Sequence, residues 1–278
     1  MGITIILIGL ILSGVMMSHY YQVKRKKHLQ KEGLATILHV KSLVGLIQAH
    51  RGLSAAWLNG DKTKHSYLVA LEQQINEELD YLHQQKTIIE NSRWESFIDH
   101  WGRLIKYDAG CDVDNNFHQH TQLIIGLLYL LEDCAEFHCL NAMSLPKFPA
   151  IGLVWRELVT ATESIGQSRG IGAGVATCKS CSSVNKIRLS FLLKHIQKTT
   201  NETLTRLSSL EEFTDKHANL LKVAQLKMKT LIDTIDKELI STDSITISQD
   251  VYFALATDCI KAVDHIFELQ VQQIEQVI

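Results

Sequence analysis

Only two prolines, Pro146 and Pro149, occur in the 278 residues, and they sit close together. A proline inside a helix removes a backbone donor and clashes with the preceding turn, at a cost of about 3 kcal/mol. On either side of residues 146–149, helices can therefore run long. Apolar residues recur at spacings of three and four from Leu29 to Leu58, through Leu34, Ile37, Leu38, Val44 and Ile47. Asn59-Gly60-Asp61 closes this first helix and caps the next, which the pattern carries from Lys62 to Glu90. Ser92-Arg93-Trp94-Glu95 has capping-box spacing and opens a third helix. A polar stretch over 108–116, containing Gly110, reads as a loop. Further helices are expected over 117–142, 150–176, 184–198, from the capping spacing at Thr199–Glu202 to Ile240, and from Gln249 to the end. Ile245-Thr246-Ile247 is the one strand-like alternation, too short for a sheet.

The N-terminus differs from the rest. Ile3 to Met17 is almost continuously apolar, Tyr20 and Tyr21 extend it, and Lys24-Arg25-Lys26-Lys27 follows. Counted to Tyr21, the run approaches the ~20 residues that span a membrane, and the basic cluster behind it places the remainder on the cytoplasmic side. A cleaved signal peptide would need a basic residue before the run and a small-residue cleavage site after it. Gly2 is no myristoylation site, since Ile6 stands where Ser or Thr is required. The expected fold class is all-α: an N-terminal transmembrane helix at 1–23, then two packed antiparallel helical bundles over 24–145 and 146–278.

Composition excludes some functions. A net charge of −2 offers no basic face for nucleic acid. The six cysteines, Cys111, Cys134, Cys139, Cys178, Cys181 and Cys259, have no framework spacing, and Cys178-Lys179-Ser180-Cys181 lacks the βαβ setting of a redox motif. His118 and His120 point about 200° apart on a helix, so with Cys134, His138 and Cys139 they make a poor metal or haem cluster. Trp57, Trp94, Trp101 and Trp155 read as core anchors, and Glu72, Glu77, Glu78 and Asp80 as a solvated face. No nucleophile–base pair stands out, so neither an enzyme nor a cofactor is expected.

Two arginine–glycine steps concentrate the functional signal: His50-Arg51-Gly52-Leu53-Ser54-Ala55-Ala56 and Gln167-Ser168-Arg169-Gly170-Ile171-Gly172-Ala173-Gly174. Small residues stand four apart in each, Gly52/Ala56/Gly60 and Gly166/Gly170/Gly174, giving a flat stripe down one helix face. Each helical glycine costs about 1 kcal/mol relative to alanine, which close approach of another backbone or of a ligand would offset. Two planar guanidinium forks can grip one small planar oxyanion. Burying both without a counter-ion is costly, and Glu163 could balance one of them.

His50-Arg51-Gly52-Leu53-Ser54-Ala55, Gly166-Gln167-Ser168-Arg169-Gly170 and Val251-Tyr252-Phe253-Ala254-Leu255-Ala256-Thr257 resemble, in that order, motifs of the bacterial nitrate- and nitrite-sensing (NIT) domain. The resemblance runs from about Leu34 to the C-terminus. It implies two four-helix bundles with nitrate or nitrite held by arginines between them: Arg51 from the first and Arg169 from the second. His50, Gly52, Ser54 and Gly170, from the same motifs, complete the candidate ligand-binding set. The chain departs from the family pattern where His50 replaces a basic partner of Arg51, and where Asp258-Cys259, with Lys261 beyond, stands in place of an arginine. The resemblance implies a non-enzymatic bacterial sensor acting as a homodimer or through a separate signalling protein, and the apolar N-terminus adds the expectation of the inner membrane, single-pass with a cytoplasmic C-terminal domain. A second reading keeps the fold as a scaffold that has lost its ligand.

Overall fold

The computed structural model describes residues 2–106, 112–208 and 215–278, with backbone alone for 2–5, 7, 9, 215 and 216. Cys111, Gly110 and the middle of the expected loop fall outside the described residues. No strand occurs among those described.

Helix α1 (Gly2–Leu58) runs unbroken from the N-terminus through the first arginine motif. The turn that follows it contains Gly60, whose φ of +103° is one that favours glycine. Residues 10–28 are exposed, and burial begins at Gln30. Leu34, Ile37, Val40, Leu43, Val44 and Ile47 then form a continuous buried face. The anchor expected at 1–23 is overturned: among the described residues, no helix is long and apolar enough to cross a membrane. Ser13, Gly14, Ser18 and His19 dilute the apolar run before Lys24 ends it. The transmembrane part of the fold class and the inner-membrane placement drawn from it are corrected with it.

Asp61 caps a short 3₁₀ turn, Lys62–Lys64, that leads into α2 (His65–Leu82). The single helix expected to Glu90 breaks at residues 83–85, leaving α3 (Lys86–Ile89) as one turn. Helix α4 (Ser92–Leu104) is capped by Asn91, whose side chain accepts from the Arg93 N–H at 2.9 Å, rather than by the expected Ser92 box. Asp112 caps α5 (Val113–Phe137). The connection through Pro146 and Pro149 is packed, with Leu140, Leu145, Phe148 and Ile151 in the core. Trp155 Nε1 donates to the Leu140 carbonyl at 2.8 Å.

A π-helical segment, Leu153–Leu158, leads into α6 (Val159–Cys178). Helix α7 (Ser183–Lys198), capped by Ser182, continues through a second π-helical segment into α8 (Leu204–Ser208). The capping spacing at Thr199 therefore opens no new helix. The Thr199 and Thr200 hydroxyls instead donate back to the carbonyls of His195 and Ile196, at 3.2 and 2.8 Å. Helix α9 (Asp215–Thr234) ends in a third π-helical segment, and α10 (Gln249–Val277) is capped by Ser248.

Helices α1, α2, α4 and α5 pack on one another, as do α6, α7, α9 and α10, and the two groups meet where α6 and α10 lie against α1 and α5. Ion pairs cross this junction: Lys41–Asp264 at 2.7 Å, Glu132–Arg156 at 2.8 Å and Asp114–Arg188 at 3.0 Å. Trp94, Trp101 and Trp155 are core residues. Trp57 is not: it is half-buried near the end of α1, with the Lys62 ammonium 4.2 Å from its ring centroid.

Candidate functional site

Helix α1 presents two polar faces near its end, and its periodicity separates them. Gln48 and Arg51, three apart, face α6, whereas His50 and Ser54, four apart, face α5. Arg51 is 2% exposed. Its Nη1 donates to Glu163 Oε1 at 2.6 Å and to Thr121 Oγ1 at 3.0 Å, and its Nη2 donates to Glu163 Oε2 at 3.2 Å. The guanidinium also lies 4.8 Å from the centroid of Phe117. Phe117 and Thr121, four apart on α5, thus face one side of the arginine while Glu163 of α6 closes the other. Gln48 and Gln167 complete the shell, donating to Glu163 Oε2 at 2.8 Å and to Oε1 at 2.9 Å. One buried carboxylate therefore accepts four N–H donors, two at each oxygen. The balancing role foreseen for Glu163 is the one it takes.

The glycines of α6 make this approach possible. A Cβ on Gly166 would stand 3.3 Å from Arg51 Nη2, and one on Gly170 only 2.9 Å from the Phe117 ring. On another face of α6, a Cβ on Gly172 would stand 2.3 Å from the Tyr252 ring, whose hydroxyl donates to the Ser168 carbonyl at 2.9 Å. Burial raises the Tyr252 hydroxyl above its ordinary range, keeping it protonated as that donor. Gly174 meets open space. The first stripe behaves otherwise: Gly52 is exposed, and a Cβ on it or on Gly60 would meet nothing within 4 Å.

Arg169 has different company. It is half-buried, its Nη1 donates to Thr257 Oγ1 at 3.0 Å, and it lies 4.8 Å from the Phe253 centroid. Phe253 and Thr257, four apart on α10, hold it as Phe117 and Thr121 hold Arg51. No carboxylate pairs with it among the described residues. Its guanidinium is depressed below its ordinary value by burial and then by the charge of Arg51, while Glu163 opposes the shift. Both arginines and Glu163 thus belong to one electrostatic cluster between the helix groups.

His50 lies beside this cluster without adding charge to it. Its Nδ1 is 2.8 Å from His120 Nε2, and His120 Nδ1 is 2.8 Å from the Asn116 carbonyl. The carbonyl can only accept, so His120 donates from Nδ1 and accepts at Nε2, and a neutral His50 that donates to it from Nδ1 turns the lone pair of its Nε2 toward Glu72. Burial holds His50 below its ordinary range against the opposing effect of Glu72, whose Oε1 is 3.3 Å from His50 Nε2. Burial and the neighbouring His50 push His120 down to about 3. Ser54 Oγ lies 2.8 Å from Asn116 Oδ1 and serves the α1–α5 contact.

Of the residues expected to bind a ligand, Arg51, Arg169 and Gly170 gather at the junction of the helix groups. His50 and Ser54 pack toward α5, and Gly52 faces solvent. Lys261 is exposed, and Cys259 is a core residue whose thiol burial pushes up to about 12. Neither restores the missing positive charge. Gln48, Gln167, Thr121, Phe117, Phe253 and Thr257 also line the junction, beyond the residues to which the motifs point. Their signal was present as i, i+3 or i, i+4 partners: Gln48 to Arg51, Gln167 to Glu163, Thr121 to Phe117 and Thr257 to Phe253. Among the described residues, no group of three or more His, Cys, Asp and Glu side chains could hold a metal ion.

Neither a family model nor a curated relative matches the chain. A solved structure does: that of the NasR transcription antiterminator superposes with a TM-score of 0.63 at 15% identity, covering 93% of this chain and 73% of that one. At that identity the likeness is one of fold.

Proposed function

We propose that this chain is a sensor of a small, singly charged planar oxyanion, nitrate or nitrite, taken up beside Arg169 at the junction of the two helix groups. The observation that carries the reading is a count of charge. Arg51 and Arg169 bring two positive charges to one cluster, Glu163 brings one negative charge, and burial keeps His50 and His120 neutral. Glu72 faces the other edge of the His50 ring and is partly solvated, which screens it. One positive charge is left in excess in a half-buried place, and a monovalent anion would neutralise it. The planar fork of Arg169 suits a planar oxyanion, and the resemblance to nitrate- and nitrite-sensing domains names the ligand. The fold shared with an antiterminator supports a place in regulation.

Signalling follows from where the charge sits. An anion at Arg169 would touch α6 and α10 beside the Arg51–Glu163 pair, which joins α6 to α1. Strengthening or relaxing that contact changes how the helix groups pack, and a ligand shifts this equilibrium only by its differential affinity for the two arrangements. The output then passes to a partner protein or to a second copy of the chain.

The scaffold reading also has an observation in its favour: the fork of Arg51 is already filled by Glu163. Isothermal titration with sodium nitrate and sodium nitrite separates the two. The sensor reading expects saturable heat from the wild type with at least one anion and its loss in Arg169→Gln. No heat from either anion leaves the scaffold.

A further inference from the structure

We infer that Glu163 sets the charge selectivity of this junction, restricting it to singly charged oxyanions by standing permanently in the place of a second anion. The inference rests on the proposed anion site and concerns a residue that does not itself touch the ligand.

Glu163 has the properties of a built-in ligand. Its side chain is 4% exposed. Both carboxylate oxygens are gripped, Oε1 by Arg51 Nη1 and Gln167 Nε2, and Oε2 by Arg51 Nη2 and Gln48 Nε2. A free planar oxyanion placed in the fork of Arg51 would ask for these same donors. The carboxylate is tethered to α6, six residues before Arg169, and its effective concentration at the fork far exceeds that of a dilute free anion. The fork is therefore closed to competitors while Glu163 is charged.

The consequence for the neighbouring arginine is electrostatic. With Glu163 ionised, the cluster carries one excess positive charge, so a monovalent anion brings it to neutrality. A divalent oxyanion such as sulfate would leave a net negative charge in the same half-buried place. With the Glu163 charge removed, the cluster carries two positive charges and a dianion becomes the neutralising ligand. An anion's energy in the field of the cluster scales with its own charge. Hence, if removing the Glu163 charge strengthens nitrate binding by some factor, it strengthens sulfate binding by about the square of that factor.

The test is calorimetric titration of sodium nitrate and sodium sulfate into the full chain at fixed ionic strength, for wild type, Glu163→Gln and Glu163→Asp. Circular dichroism confirms that each variant is folded under the titration conditions. Glu163→Gln removes the charge and keeps the size; Glu163→Asp keeps the charge. The wild type should bind nitrate at least about tenfold tighter than sulfate. Glu163→Gln should gain more for sulfate than for nitrate, shifting the ratio toward sulfate by at least about tenfold, and Glu163→Asp should keep the wild-type order. An unchanged nitrate-to-sulfate ratio in Glu163→Gln overturns the inference and leaves the proposed function standing. Should Glu163→Gln fail to fold, a Glu163→Asp variant preferring sulfate overturns it equally, and one that keeps the wild-type order supports it. Binding by Glu163→Gln alone overturns both the inference and the proposed function, since the wild-type junction then admits no singly charged oxyanion to select. Absence of binding by any of the proteins overturns both.

Discussion

Arg51 and Arg169 occupy matching motifs, each followed by glycine, each held by a phenylalanine and a threonine four residues apart on a neighbouring helix. They nevertheless differ in their electrostatics. Arg51 is buried and grips the carboxylate of Glu163 with two nitrogens. Arg169 is half-buried and has a hydroxyl and an aromatic ring instead. The same local sequence thus builds a structural ion pair at one end of the junction and, at the other, a cation with no carboxylate partner among the described residues. Neighbouring helices decide which motif becomes cement and which does not.

The comparison predicts unequal losses of stability. Arg51→Ala strands Glu163 in the interior and should cost about 3–5 kcal/mol, the usual consequence of breaking one side of a buried ion pair. Arg169→Ala should cost about 1 kcal/mol, for one hydrogen bond and an aromatic contact. Urea unfolding followed by circular dichroism measures both, and equal losses would break the comparison.

Acid should act through the α1–α5 side of the same helix end. His120 titrates near 3 in the folded chain against an ordinary 6.5, so the unfolded chain binds a proton that the folded chain refuses. Stability therefore falls as pH drops below 6.5 and levels off below about 3, with a His120 contribution of about 3 kcal/mol between pH 7 and pH 4. His50, also depressed, acts in the same direction. His120→Gln should flatten this part of the pH–stability curve. An unchanged slope would mean that His120 takes up a proton as readily in the folded chain as in the unfolded one.

Two glycines, Gly172 of α6 and Gly52 of α1, give the smallest effects and the clearest change of sign. Gly172→Ala drives a methyl into the Tyr252 ring and should cost about 1–3 kcal/mol by overpacking. Gly52→Ala places its methyl in open space within a helix and should stabilise by about 0.5–1 kcal/mol. Thermal unfolding separates them. A destabilised Gly52→Ala would show that something does approach the first stripe.

Much of this was legible in the chain itself. Scarce prolines and spacings of three and four predicted long helices, and the last helix begins at Gln249 as expected. Arg51, Arg169 and the balancing Glu163 could be named because buried charge must be paired. Other features depended on tertiary context. The Thr199 spacing could equally cap a new helix or, with its hydroxyls turned back, widen a continuing one. Gly52 and Gly170 follow arginine in the same way, and only the position of Phe117 distinguishes them. The apolar start of α1 carries a membrane-like composition, yet among the described residues no helix is long and apolar enough to span a membrane. The partners of Arg169 lie on α10, too distant in sequence for spacing rules to connect.

If the junction holds one excess positive charge at Arg169, with the fork of Arg51 filled from within, a crystal structure of the full chain grown in sodium nitrate will reveal it. Nitrate should lie against the guanidinium of Arg169, with the Arg51–Glu163 pair intact. Nitrate seated in the fork of Arg51 with Glu163 displaced, or no anion at either arginine under saturating nitrate, would contradict it.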